Sequence, residues 1–152
     1  MIELRHIGIY VKNLALEQNF YQVVFHMKVI VSQEETRDVL MQEILESLDG
    51  TAKISKLITE RGKQIGSGDM IELIEVICPK VAPVCRAGTS PICTIAPAGT
   101  AHICLGIDNM AGTLSALCAH GGHVLIEPVT FPTGRACVFC ADPEGNVLEL
   151  IA

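Results

Sequence analysis

Apolar and polar residues alternate in two stretches of the chain that share one layout. Arg5-His6-Ile7-Gly8-Ile9-Tyr10-Val11 and Ala101-His102-Ile103-Cys104-Leu105-Gly106-Ile107 both read as strands, because side chains of an extended chain face opposite ways in turn. A polar turn follows each, Lys12-Asn13 or Asp108-Asn109, and then apolar residues at helical spacing. These are Leu14, Leu16, Phe20, Val23 and Val24 in the first copy and Met110, Leu114, Leu117 and Cys118 in the second. A further strand is expected after each helix, at 28–32 and at 123–126. Two more close each copy, at 52–58 with 70–77 and at 136–140 with 147–151. Between the last pairs lie Gly62, Gly66 and Gly68 in one copy and Asp142-Pro143-Glu144-Gly145-Asn146 in the other, both signals for a hairpin turn.

The pattern predicts an α+β chain built from one strand–helix–strand–strand–strand unit used twice. The expected boundaries are 1–77 for the first unit, 78–99 for a linker rich in Pro, Gly and Ala, and 100–152 for the second. The last strand of each unit carries a glutamate among aliphatic neighbours: Glu72 in Met-Ile-Glu-Leu-Ile and Glu149 in Val-Leu-Glu-Leu-Ile. The spacing from His6 to Glu72 is 66 residues and from His102 to Glu149 is 47. The longer spacing is assigned to an inserted amphipathic helix at about 34–50, carrying Val39, Leu40, Ile44, Leu45 and Leu48. Its expected role is to cover a sheet edge or pack on a partner.

Alternation also sorts the faces. His6 shares its side with Leu4, Gly8 and Tyr10, and His102 shares its side with Thr100, Cys104 and Gly106. The opposite faces hold Ile7, Ile9 and Val11, and Ile103, Leu105 and Ile107, which suit a core against the helices. A carboxylate buried without a partner costs several kcal/mol or takes up a proton, so two glutamates in matching apolar settings call for a shared partner. Two neutral imidazoles and two carboxylates suit a divalent ion such as Zn²⁺, Ni²⁺, Co²⁺, Mn²⁺ or Fe²⁺. Any one of the four taken alone reads more simply as a hydrogen-bonded core histidine or a glutamate at a wet strand edge. Matching positions in both copies favour the metal.

Composition narrows the classes without choosing among them. The 152 residues are 49% hydrophobic and 18% charged, enough for one compact domain or two small packed units. A formal net charge of −6 argues against nucleic acid as a main partner. No apolar run is long enough to predict a membrane span, and charged residues near Met1 argue against a signal peptide. Seven cysteines, an odd number and mostly in apolar segments, suit reduced thiols in a cytoplasm better than a disulfide framework. Cys137-Val-Phe-Cys140 sits in a strand, where residues three apart face opposite ways, so half-buried thiols are expected there and not a zinc pair.

The stretches HIGIYVKNL, GDMIELIEV, AHICLGIDN and DPEGNVLELI resemble the vicinal oxygen chelate superfamily, which includes glyoxalase I, methylmalonyl-CoA epimerase and extradiol ring-cleaving dioxygenases. The resemblance implies paired βαβββ modules forming a curled mixed sheet around one divalent metal, Ni, Zn, Co or Mn ahead of Fe. It places the ligands on His6, Glu72, His102 and Glu149, with Glu149 also the catalytic base. Family members commonly end the first helix with Leu-Gly, where this chain has Phe25-His26, so a different helix end is expected.

By the same resemblance, extradiol dioxygenases go with two histidines and one glutamate and glyoxalase I and the epimerase with four ligands, so Glu72 favours proton transfer over oxygen activation. The expected activity is a glyoxalase-type isomerisation of a small 2-oxo aldehyde–thiol adduct through a metal-stabilised enediolate. Epimerisation beside a thioester comes next, then extradiol dioxygenation, then non-catalytic drug binding. Arg135 and Tyr10 are the candidates for substrate contact, with Arg5 and Lys80 behind them. His26, His120 and His123 have no place in the constellation. The expected partners are a small molecule, with a thiol carrier among the possibilities, and a second copy of the chain in a homodimer.

Overall fold

The computed structural model describes residues 4–66, 68–79 and 101–152. Lys80, Cys85 and Cys93, with nearly all of the expected linker, lie outside the described residues. The chain divides into two compact units, Met1–Val84 and Cys85–Ala152.

The first unit runs β1 (Ile7–Tyr10), α1 (Leu14–Val24), β2 (Lys28–Thr36), α2 (Val39–Ile44), β3 (Thr51–Ile58), α3 (Glu60–Ile65) and β4 (Met70–Cys78). Its four strands form one mixed sheet in the order β1-β4-β3-β2, with β1 parallel to β4 and the other neighbours antiparallel. The second unit runs β5 (Ile103–Gly106), α4 (Met110–Ala119), β6 (His123–Thr130), β7 (Ala136–Ala141) and β8 (Val147–Ile151). Its sheet order is β5-β8-β7-β6, with β5 parallel to β8, so the second unit repeats the first strand for strand. Both units are βαβββ modules of an α+β fold.

Alternation explains how each module separates its core from its polar face. In β4, Ile71 and Leu73 are buried with Leu57 of β3 and with Leu14, Phe20, Tyr21 and Val24 of α1. In β8, Leu148 and Leu150 are fully buried, as are Leu117 of α4 and Cys140 of β7. Glu72 and Glu149 lie between these pairs and therefore point to the other side of their sheets. Each helix starts the same way: Asn13 accepts from Leu16 N at 3.0 Å and Asn109 from Gly112 N at 2.9 Å. Such side chains satisfy amides that have no partner within the first helical turn.

Three local expectations change. The predicted helix at 34–50 shrinks to Val39–Ile44, because β2 continues along β3 as far as Thr36. Asp38 then starts the helix by accepting from Met41 N at 2.8 Å, and only Met41 of α2 is buried. The 59–69 connection is no tight turn: Thr59 caps α3 by accepting from Gly62 N at 2.9 Å, and Gly66 ends it at φ 77°. The end of α1 departs from expectation in the opposite sense. His26 adopts φ 53°, so the left-handed residue is kept without a glycine.

Candidate metal centre

Cross-strand register brings each sequence-predicted histidine to its glutamate. In the first module Gly8 lies beside Glu72 in the β1–β4 pairing, which puts His6, just ahead of β1, on the glutamate's side of the sheet. His6 Nε2 is 3.3 Å from Glu72 Oε2. In the second module Cys104 lies beside Glu149, and His102 Nε2 is 3.0 Å from Glu149 Oε2. Both glutamates are half-buried, with side chains 16% and 20% exposed, whereas the histidines stand more open at 45% and 41%.

The remaining oxygen of each glutamate has its own partner, and here the modules differ. Glu72 Oε1 takes the Lys56 ammonium at 3.1 Å. Glu149 Oε1 accepts from the Cys137 thiol at 3.2 Å, and the Cys104 thiol also donates to this carboxylate. Phe139 packs edge-on to the His102 ring, with centroids 5.3 Å apart and planes at 75°. The Cys137 hydrogen bond is the main reason the Glu149 carboxyl lies below its ordinary range, with Cys104 and His102 acting in the same direction against burial. Burial, reinforced by Glu149, pushes the Cys137 thiol up to about 11. Cys140, on the opposite face, is pushed up to about 12 chiefly by burial.

Lys56 has no assigned role in the sequence, and Cys137 reads there only as a half-buried strand thiol. Their signal is the pairing of β3 with β4 and of β7 with β8, which puts them on the glutamate face. Tyr10 ends β1 with its side chain largely exposed, and Arg135 is exposed in the turn before β7. The other histidines serve local structure: His26 forms the left-handed turn after α1, and His120 Nδ1 lies 2.8 Å from Ala116 O at the end of α4.

Among the described residues no three His, Cys, Asp or Glu side chains converge as a metal cluster; the donors stand as pairs, one in each module. Each pair offers donors that suit a divalent ion by their chemistry. An imidazole nitrogen and a carboxylate oxygen already share one small volume, and the second carboxylate oxygen is tied back by another donor. Metal-ligating carboxylates are ordinarily held in this way.

The chain matches the family model of the Glyoxalase/Bleomycin resistance protein/Dioxygenase superfamily over residues 3–150 and belongs to that superfamily. Its fold is similar to a glyoxalase family protein from Bacillus cereus, at 14% identity and TM-score 0.79 over 99% of this chain and 93% of that one. A trypanothione-dependent glyoxalase I from Leishmania major is similar at 17% identity and TM-score 0.62, over 99% and 86% of the two chains. A glyoxalase I variant from Zea mays gives 18% identity and TM-score 0.63, and this chain spans 43% of its length. No curated protein matches the chain in sequence. Among the described residues no helix is long and apolar enough to cross a membrane.

Proposed function

We propose that the chain is a metal-dependent glyoxalase-type lyase or isomerase that moves a proton next to a carbonyl. The observation that carries this reading is the repeated His–Glu contact, one in each module. His6, Glu72, His102 and Glu149 would hold one divalent ion, and by the resemblance to glyoxalase-type sites Ni, Zn, Co or Mn comes ahead of Fe. When bound, that ion would stabilise negative charge developing on the substrate's oxygens.

Glu149 is the base in this scheme, taking the proton from the carbon beside the carbonyl and returning it to the neighbouring carbon. Cys137 and Cys104 steady it by donating to the carboxylate, which holds its carboxyl below the ordinary range. His102 holds the other oxygen, and the Phe139 ring edge fixes the tilt of that imidazole. Arg135 and Tyr10 would meet the substrate from the rim. The first substrate class to try is the adduct of a small 2-oxo aldehyde with a thiol; a 2-substituted thioester comes second.

The test is hydrogen exchange at the reacting carbon. In deuterated water, metal-supplemented wild-type protein should exchange or isomerise a methylglyoxal–glutathione adduct, as followed by NMR. Glu149→Gln should slow the turnover by about 10²–10⁴-fold. Equal rates for the variant and wild type would remove Glu149 from the chemistry.

A further inference from the structure

The two modules repeat each other closely enough that exchanged side chains stand out. Across β1, β4 and β3 one rung holds Gly8, Glu72 and Lys56. The equivalent rung across β5, β8 and β7 holds Cys104, Glu149 and Phe139. Residues directly opposed in an antiparallel pair project from the same face, so Lys56 and Phe139 hold corresponding places beside their glutamates. One module therefore sets an ammonium, and the other an aromatic ring, at the same distance along the sheet.

The exchange alters local charge. In the second module Glu149 is held by two thiols and the His102 imidazole, and no lysine or arginine pairs with it among the described residues. In the first module Lys56 lies 3.1 Å from Glu72 and cancels its charge. An ammonium carries three donors, and Glu72 Oε1 engages one of them. The Lys56 side chain is also a third exposed, so water or a ligand reaches it.

We infer that Lys56 is a specificity-determining residue that recognises an anionic oxygen of the substrate, and that the small 2-oxo part of the adduct bears a carboxylate. This rests on the proposed site in that it takes the His6–Glu72 side as the place where substrate binds. Lys56 keeps its contact with Glu72 and offers its other protons to the carboxylate, a charge-assisted hydrogen bond in a partly buried setting.

The experiment titrates the full-length, zinc-supplemented chain with pyruvate as the anionic probe and hydroxyacetone as its neutral counterpart, while zinc content is measured in parallel. Wild type and Lys56→Arg should bind pyruvate alike. Lys56→Met should bind it at least about tenfold more weakly, the loss of one charge-assisted hydrogen bond. Hydroxyacetone affinity should be unchanged in all three proteins once each is loaded with zinc to the same occupancy, since Lys56 also holds Glu72. Equal pyruvate affinity in Lys56→Met would overturn the proposal and leave Lys56 as a counter-ion of Glu72. So would an equal loss of hydroxyacetone affinity, which would make Lys56 a positioning residue for the carboxylate. Wild-type protein that takes up no zinc defeats the metal reading separately. The same pyruvate comparison on the metal-free chain then decides Lys56 by the same criterion.

Discussion

Glu149 is the most constrained carboxylate of the site, and the donors that hold it determine how it titrates. Its carboxyl sits below the ordinary value first because Cys137 donates to it. A carboxyl whose folded value is depressed contributes stability that is present above its unfolded value and is lost as pH falls through the folded one. In the metal-free protein Cys137→Ala should therefore raise the Glu149 titration midpoint, as read by carboxyl NMR, and start acid destabilisation at higher pH. An unmoved midpoint would show that the thiol is a bystander. His26 offers a second test at this scale. Its φ of 53° costs a side-chain-bearing residue about 1–2 kcal/mol, so His26→Gly should stabilise the chain by about 0.5–1 kcal/mol after the greater freedom of unfolded glycine is offset. A lower urea midpoint for this variant would contradict that account.

Elements were legible where their signal is local. Asn13 and Asn109 stand just before helical apolar spacing, and both prove to be helix caps. Replacing either with Ala should cost about 1 kcal/mol, measured by urea unfolding. The 142–146 segment reads as a hairpin turn, and its strength lies in Asp142. That fully buried carboxylate accepts from Glu144 N at 3.1 Å, Asn146 N at 2.8 Å and Asn146 Nδ2 at 2.8 Å. Asp142→Ala strands those donors and should destabilise by about 2–3 kcal/mol with an unchanged denaturant slope. The 34–50 insert was read poorly because Gln33, Glu34, Glu35 and Thr36 carry little strand periodicity. They belong to β2 only through the partner strand β3, which lies about twenty residues further on.

At the scale of the whole chain, the duplicated βαβββ plan and both His–Glu pairs could be seen in the sequence, because a repeat compares a chain with itself. Lys56 and Cys137 could not, since each acquires meaning only from register: Lys56 faces Glu72 across one ladder, and Cys137 is two rungs from Glu149, on the same face, across another. The same local composition with a register slipped by one residue would turn both side chains to the core. The repeat gives each module one imidazole and one carboxylate, while Lys56 and the cysteines make the two halves chemically unequal.

The central claim is that the two pairs together hold one divalent ion, and metal analysis tests it most directly. Wild-type protein purified without chelators or a metal-affinity tag should carry close to one equivalent of Ni, Co, Zn or Mn, and Glu72→Gln and Glu149→Gln should each lower it. Stoichiometric iron that survives Glu72→Gln would contradict the four-ligand, proton-transfer account in favour of oxygen chemistry, and no metal even after reconstitution would contradict the site altogether.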